Sequence, residues 1–419
     1  MVTPHSGAPL RGAIRVPSSK SITQRALVAA ALAGSPSRIV RPLDAEDPRL
    51  LHDALNRAGF ALRWQDDVIE AGGAVDPRGG NVLMGNNGTG TRFMLAQFAA
   101  IEGEWLLDGT SRLRERPVAP LVEALRRLGG AIEPVGRSGR LALPLRIVGR
   151  KLAGGEVKLD STTSSQFASA LLLLAPRLPG GLALTLEGLT PSRPYLDLTI
   201  AVLRAFGAAL RVEESGCFAV AGSGFQPAEI KVEGDWSAAA FPMAAVAVAG
   251  GEVEVLGLYL GSRQGDARLS ALLVGAGCSV VGSELGVVIR GPATRPLHAD
   301  LRDTPDLFPA LAVVVAVVGG QLSGLAGLAT KESDRLEMMT RNLGDLGFSV
   351  RRGDDWFACD GGGHPRPATQ PLSVAADHRI AMALAVAGCA VPGVAVADRE
   401  CVAKSWPGFW QEWDSLVKS

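Results

Sequence analysis

The sequence predicts an α/β (α+β) fold of two domains, each holding three copies of one unit with buried helices inside and sheets outside. Three observations predict it. The first is a repeat of Leu, three residues, Gly, then alternating apolar residues. It occurs at Leu55 and Gly59, Leu125 and Gly129, Leu203 and Gly207, Leu273 and Gly277, and Leu343 and Gly347. The leucines stand 70, 78, 70 and 70 residues apart, and Leu416 follows after a further 73. With 51 glycines in the chain the motif alone arises by chance, but not at so regular a spacing. The second is that each period opens on an Ala-rich segment apolar on every side: 20–32, 89–100, 165–175, 237–249, 307–318 and 378–388. A helix without a polar face is a buried helix. The third is paired segments of alternating polarity, such as 209–213 and 217–221, which read as strands covered on one face.

Within a unit the buried helix comes first and a short strand follows, as at 105–107, 182–186, 252–255 or 394–396. A polar loop then leads into the amphipathic helix that carries the landmark Leu and closes at its Gly. Two alternating strands finish the unit. The sixth copy lacks this hairpin, and 9–16, with Leu10, Ala13, Ile14 and Val16, is expected to supply its missing strand. The first and last segments then share a domain. Residues 1–17 with 234–419 form a discontinuous domain, 18–233 an inserted one, and hinges fall near 17–19 and 233–234.

Composition narrows the function. Lys plus Arg equals Asp plus Glu at 42 each, so no global field draws the chain to nucleic acid or a membrane surface. The start, residues 1–7, lacks the basic and apolar regions of a signal peptide. The longest apolar run, 307–318, is well short of the ~20 residues of a membrane span. Five cysteines without a CxxC pair suit a reduced cytoplasmic protein. Five scattered histidines (His5, His52, His298, His364, His378) suggest no metal cluster, and no Walker A loop or GxSxG elbow occurs.

Two places in each unit carry the unusual residues. Buried-helix starts hold Ser18, Ser19, Lys20 and Ser21 with Arg25; Gly85 to Thr89 with Arg92; Ser161 to Gln166; Asp235 and Ser237; Asp303 and Asp306; and Asp377, His378 and Arg379. Helix capping, which favours Ser, Thr and Asp, suffices for Asp235 and Asp303. It leaves Lys20, Arg25, His378 and Arg379 unexplained, because a cation in a first turn opposes the macrodipole at a cost of up to ~1 kcal/mol. Repeated cations there point to bound anions. The loops after the strands are equally basic: Arg112, Arg114 and Arg116; Ser192, Arg193 and Tyr195; Arg263; Lys331, Glu332 and Arg335; and Lys404. Glu332 between two cations can hold or deliver a proton as local charge demands. The residues therefore describe an enzyme that grips phosphates or carboxylates, with acid–base work falling to Asp306, Glu332, Lys20 or His378.

Six segments in this order resemble the EPSP synthase (3-phosphoshikimate 1-carboxyvinyltransferase) family of enolpyruvyl transferases. They are Pro17 to Arg25, Gly85 to Thr89, Arg114 to Pro117, Ser164 to Phe167, Lys331 to Arg335, and Asp377 to Arg379. The resemblance implies two domains of three βαβαββ units each, of the inside-out α/β barrel type, closing over their substrates. It implies transfer of the enolpyruvyl group of phosphoenolpyruvate to the 5-hydroxyl of shikimate 3-phosphate, with release of phosphate and no cofactor or metal. Shikimate 3-phosphate would meet Lys20, Ser21, Arg25, Ser164, Ser165, Gln166, Ser192, Tyr195, Asp306 and Lys331. Phosphoenolpyruvate would meet Lys20, Gly88, Arg116, Gln166, Arg335, Arg379 and Lys404. Asp306 is implied as base and Glu332 as acid, with His378 supporting the proton traffic and Lys20 an alternative donor. The expected assembly is a monomer.

Three positions depart from the family pattern. Gly327 stands where an Asn is common, Ser19 replaces a Gly, and Asn87 replaces an Ala in the Gly-rich loop. Asn87 is expected to crowd the phosphoenolpyruvate side, which bears on sensitivity to the inhibitor glyphosate. The rival readings are a transferase acting on UDP-N-acetylglucosamine, which usually carries a Cys in the 112–117 loop, and a non-catalytic anion-binding protein of the same fold.

Overall fold

A computed structural model describes residues 9–74, 76, 79–136, 140–213, 216–362 and 365–418; His5 and His364 lie outside them. The chain divides into two compact units, one of residues 19–232 and one of 1–18 with 233–419. Each unit has one hydrophobic core. No described helix is long and apolar enough to cross a membrane.

Three helices fill the centre of each unit. In the first they are Lys20–Ala33, Gly88–Ala100 and Ser165–Leu174. In the second they are Trp236–Ala249, Phe308–Val318 and His378–Ala390. Within each unit the three pack against one another, and nearly every side chain beyond the first turn is buried. Alanine dominates because it has the highest helix propensity and lets neighbouring axes approach. Larger anchors such as Phe241, Phe308 and Phe167 are fully buried and contribute roughly 1.5–3 kcal/mol each.

Five four-stranded sheets surround these helices among the described residues, all built alike. A strand before the buried helix lies parallel to the strand after it, and an antiparallel hairpin completes the sheet. Gly80–Leu83 beside Gly103–Asp108, followed by Leu145–Gly149 and Ala131–Pro134, is one example. At the two chain crossings the leading strands are exchanged. Glu229–Lys231 lies parallel to Arg38–Val40, while Leu10–Arg15 lies parallel to Gly251–Leu256.

This exchange corrects one expectation. The N-terminal strand completes the sheet of the fourth copy and not that of the sixth. Leu10 and Ile14 turn inward there, and Gly251 admits the contact, since a Cβ on it would lie 1.9 Å from the Leu10 carbonyl oxygen. In the sixth copy the expected strand at 394–396 is reduced to isolated bridging, in which Leu372 pairs with Val396. The first and last segments still share a unit, because the C-terminal helix Phe409–Lys418 packs against the N-terminal strand.

The repeat motif has a geometric cause. Gly59, Gly129, Gly207, Gly277 and Gly347 all adopt positive φ, between 71° and 107°. Each donates its N–H to the carbonyl three residues back, as Gly129 does to Arg126 at 2.9 Å. The residue after the Gly reaches the landmark leucine: Gly130 to Leu125, Ala208 to Leu203, Cys278 to Leu273 and Phe348 to Leu343. This is the Schellman ending, in which Leu sits four residues before the left-handed position and anchors the cap in the core.

Two substitutions separate strain from sterics. An alanine Cβ at Gly129 meets nothing nearer than Leu152 at 4.0 Å, so Gly129→Ala is expected to lose only the left-handed penalty, about 1–2 kcal/mol. At Gly277 the same Cβ lies 2.4 Å from Thr294 Oγ1, and Gly277→Ala is expected to cost clearly more. Denaturant unfolding of both variants checks this; equal losses would show that the contact with Thr294 is immaterial.

Candidate functional site

The polar residues of the 19–232 unit gather at the starts of its three buried helices. Lys20, first in its helix, sets its ammonium 2.9 Å from Asp47, in the first turn of the helix Glu46–Arg57. Arg25 is buried and spends four of its five N–H groups inside the unit. Nε reaches Thr199 Oγ1 at 2.8 Å, one terminal nitrogen the Ser21 carbonyl at 2.9 Å, and the other the Tyr195 carbonyl and Ser169 Oγ. Burial brings its pKa down to about 10, against the opposing pull of Tyr195. It remains a cation at neutral pH.

Gln166 stands at the start of the third helix, its backbone N–H held by the N-cap Ser164 and its neighbour Ser165 buried. Its side chain donates to Thr89 Oγ1 at 3.0 Å and accepts from Arg92 at 2.9 Å. Arg92 also donates to the carbonyls of Gly88 and Pro117, tying the Gly-rich loop to the basic segment. Arg116 lies directly over Gly88: a Cβ there would be 2.5 Å from the guanidinium carbon. Only glycine permits this approach. Ser192 holds a left-handed φ of 59° and accepts the Tyr195 N–H.

The 112–117 segment is not an open loop throughout. Ser111–Glu115 forms a short helix capped by Thr110, and Arg114 pairs with Asp108. Asn87 corrects a second expectation. Its side chain is fully buried and turned inward, donating to the Asp47 carbonyl at 2.7 Å and accepting from Gly90 N–H at 2.8 Å. As the N-cap of its helix it cannot also project over the loop. Gly327 is exposed, with nothing within 4 Å of the Cβ position.

The other unit holds a charge cluster around one buried side chain. Arg335 opens the helix Arg335–Asp345 and is 1% exposed. Its guanidinium donates at 2.8 Å to Asp377 Oδ2, Asp306 Oδ1 and Glu332 Oε2. Burial alone would weaken this cation, but the three carboxylates outweigh it and hold its pKa above the usual arginine value. Asp306 also meets Arg379 at 3.2 Å and Lys331 at 3.7 Å. Burial pushes its carboxyl up, yet Arg379, Lys331 and Arg335 together hold it well below the usual carboxylate range. Three carboxylates thus face three cations. His378 is buried beside Asp377, which caps their shared helix by accepting the Arg379 N–H. Lys404 is buried at the end of the turn Glu400–Lys404 in the same unit.

Two contributors, Asp47 and Asp266, escaped the sequence reading, and two more, Arg92 and Asp377, were read at helix starts without their partners. Asp47 and Arg92 act through partners far away in the chain. Asp377 had been read as part of a motif, yet the partner it serves, Arg335, is 42 residues distant. Asp266 left only a faint signal. It is 3% exposed and accepts a short hydrogen bond from Ser237, at the start of another buried helix. Burial, reinforced by the charge of Asp306, pushes its carboxyl up to about 7.

A model of the EPSP synthase (3-phosphoshikimate 1-carboxyvinyltransferase) family matches residues 4–413. A 3-phosphoshikimate 1-carboxyvinyltransferase of Syntrophobacter fumaroxidans is 39% identical over 99% of both chains. One from Methanoculleus marisnigri is also 39% identical, over 96% of each. Among solved structures, EPSP synthase from Acinetobacter baumannii superposes with a TM-score of 0.80 at 26% identity, covering 99% of this chain and 97% of the other.

Asp266 offers a pH test. Its folded carboxyl titrates near 7 and its unfolded one near 3.8. The stability tied to its neutral form is therefore complete below about pH 4 and drains away as pH rises towards 7, by on the order of a few kcal/mol. Asp266→Asn is expected to gain on the wild type as pH rises from 4 to 8. Thermal unfolding across that range checks this, and a difference independent of pH would contradict it.

Proposed function

This chain belongs to the EPSP synthase family, and from that premise we propose how its residues divide the family's reaction. The enzyme transfers the enolpyruvyl group of phosphoenolpyruvate to the 5-hydroxyl of shikimate 3-phosphate, releasing inorganic phosphate, in the biosynthesis of chorismate and aromatic amino acids. The observation that carries the assignment of roles is the Arg335 cluster, in which Asp306 and Glu332 share one buried arginine.

We assign grip to the cations and proton movement to these two carboxylates. In the 19–232 unit, Ser21, Arg25, Ser164, Ser165, Gln166, Ser192 and Tyr195 hold shikimate 3-phosphate, with Lys20 serving both ligands. Arg116 over Gly88 grips phosphoenolpyruvate. In the other unit Arg335, Arg379 and Lys404 take phosphoenolpyruvate, while Lys331 and Asp306 take the shikimate ligand.

Charge balance supports this division. A cation clamped to Asp306 keeps that carboxylate a weak base. When an anionic ligand takes a share of Arg379 or Arg335, Asp306 loses opposing charge and its proton affinity rises. It can then accept the proton of the 5-hydroxyl as that oxygen attacks C2 of phosphoenolpyruvate. Glu332 delivers a proton to the methylene carbon, producing a tetrahedral intermediate that carries a methyl group. Removal of a methyl proton by the same carboxylate, with cleavage of the C2–O bond to phosphate, restores the enol ether and releases phosphate. Preorganised cations stabilise the anions throughout.

The rival reading on UDP-N-acetylglucosamine lacks its usual cysteine, since 112–116 reads Arg, Leu, Arg, Glu, Arg. A non-catalytic relative would have no need to keep both Asp306 and Glu332. A cytoplasmic monomer is the form this reading favours. The cytoplasmic part rests on five free cysteines, with the Cys389 thiol pushed up to about 12 by burial and so poorly reactive.

Phosphate release should require both substrates, and Glu332→Gln or Asp306→Ala should each lower kcat by about 100-fold or more. Release with UDP-N-acetylglucosamine in place of shikimate 3-phosphate would overturn the assignment. Gly88→Ala should raise KM for phosphoenolpyruvate by displacing Arg116, with little loss of stability because the end of a long side chain can move aside; an unchanged KM would remove Arg116 from that role.

A further inference from the structure

The Gly-rich loop, the helix start at Asp47 and Lys20 form one hydrogen-bonded chain. Gly90 N–H donates to Asn87 Oδ1 at 2.8 Å, Asn87 Nδ2 donates to the Asp47 carbonyl at 2.7 Å, and Lys20 Nζ donates to Asp47 Oδ2 at 2.9 Å. Asn87 is completely buried and Asp47 is 2% exposed. We propose that Asn87 is a positioning residue for Lys20, setting through Asp47 where the ammonium stands.

A cap alone does not require this residue. Serine caps a helix as well as asparagine does, through the same acceptor role. What serine lacks is the reach and the second donor that the amide spends on Asp47. That bond joins the first turn of Glu46–Arg57 to the first turn of Gly88–Ala100, and Lys20 opens the third helix in the chain of contacts. A buried amide with both ends engaged holds one orientation, since turning it over would set donor against donor and acceptor against acceptor.

Gly90 is matched to it. A Cβ at position 90 would lie 2.5 Å from Asn87 Nδ2 and 2.9 Å from the terminal methyl of Met84. The large residue at 87 and the absent side chain at 90 therefore occupy one shared space. Any side chain at 90 displaces the amide from Asp47.

The consequence for catalysis rests on the reaction assigned above. A shift of the Lys20 ammonium by a fraction of an ångström lowers its contribution to holding the reacting anions, and misplacement of about 1 Å costs up to about 100-fold in rate. Asn87→Ser keeps the cap and removes the tie, so kcat/KM for phosphoenolpyruvate should fall about tenfold, with a lowered unfolding midpoint because the buried Asp47 carbonyl loses its donor. Gly90→Ala should reproduce that loss, and adding it to Asn87→Ser should make matters little worse. In an Asp47→Asn background, where the ion pair is already broken, Asn87→Ser should have little further effect.

Reductive methylation of Lys20, followed by mass spectrometry on the substrate-free protein, provides a readout that needs no turnover. Lys20 should react faster in Asn87→Ser than in the wild type, because its ammonium is less firmly held. Equal methylation rates, or additive losses in the Asp47→Asn cycle, would overturn the proposal. A wild-type chain inactive with shikimate 3-phosphate and phosphoenolpyruvate would instead overturn the reaction assigned above, and the methylation rates would still decide the role of Asn87.

Discussion

A helix with no polar face can be stable only where no part of its length meets water, and this constraint governs the rest of the molecule. In each unit three such helices fill the core, so polar groups have nowhere to go but the ends. At the N-terminal ends the chain offers unsatisfied N–H groups and positive potential, which favour anions. Within the first unit Thr89 and Arg92 of one helix start meet Gln166 of another. Within the second, Asp306 and Asp377 come from two helix starts and meet Arg335, while Arg379, next to Asp377, meets Asp306. Apolar packing thus gathers the chemistry of each unit at one end of its bundle.

Burying charges is costly unless they are paired, and pairing in turn restrains what they can do. Arg335 is held on three sides by carboxylates, and its position leaves little freedom. Asp306, drawn below its ordinary range by three cations, is a weaker base than a solitary aspartate. Asp266, where burial and the charge of Asp306 outweigh the opposing Ser237 hydrogen bond and Arg379 charge, is pushed the opposite way to about 7. Two aspartates of one unit are thus driven apart by their surroundings alone. The same balance explains why a ligand's charge matters to the chemistry: an anion that engages the cations changes the carboxylates they were neutralising.

Much of this was legible in the chain. Six buried helices were readable because an unbroken apolar segment with a capped end has few alternatives, and their bounds fall within two residues of those observed. The landmark Leu and Gly were readable because a Schellman ending needs a left-handed residue at one fixed distance from an anchored one. The fate of the first strand was less legible. Leu10–Arg15 carries no local mark of which sheet it joins, and the close approach that Gly251 admits, with no Cβ to block it, appears only in the folded chain. Asn87, expected to crowd the phosphoenolpyruvate side, was hard to place for a related reason: nothing in the order of residues shows the Asp47 carbonyl to which its amide donates.

By itself the sequence determined the repeat, the buried helices, the residue types at their starts and the family resemblance that named a reaction. Those depend on local spacing and on side chains whose meaning survives without coordinates. Tertiary structure alone decided which charges are partners. It joined Arg335 to Asp377 across 42 residues and Arg25 to Thr199 across 174, set Asn87 against Gly90, and separated Asp266 from Asp306 in acidity. The physical reason is that electrostatic energy depends on distance and burial, and neither can be read from order along a chain.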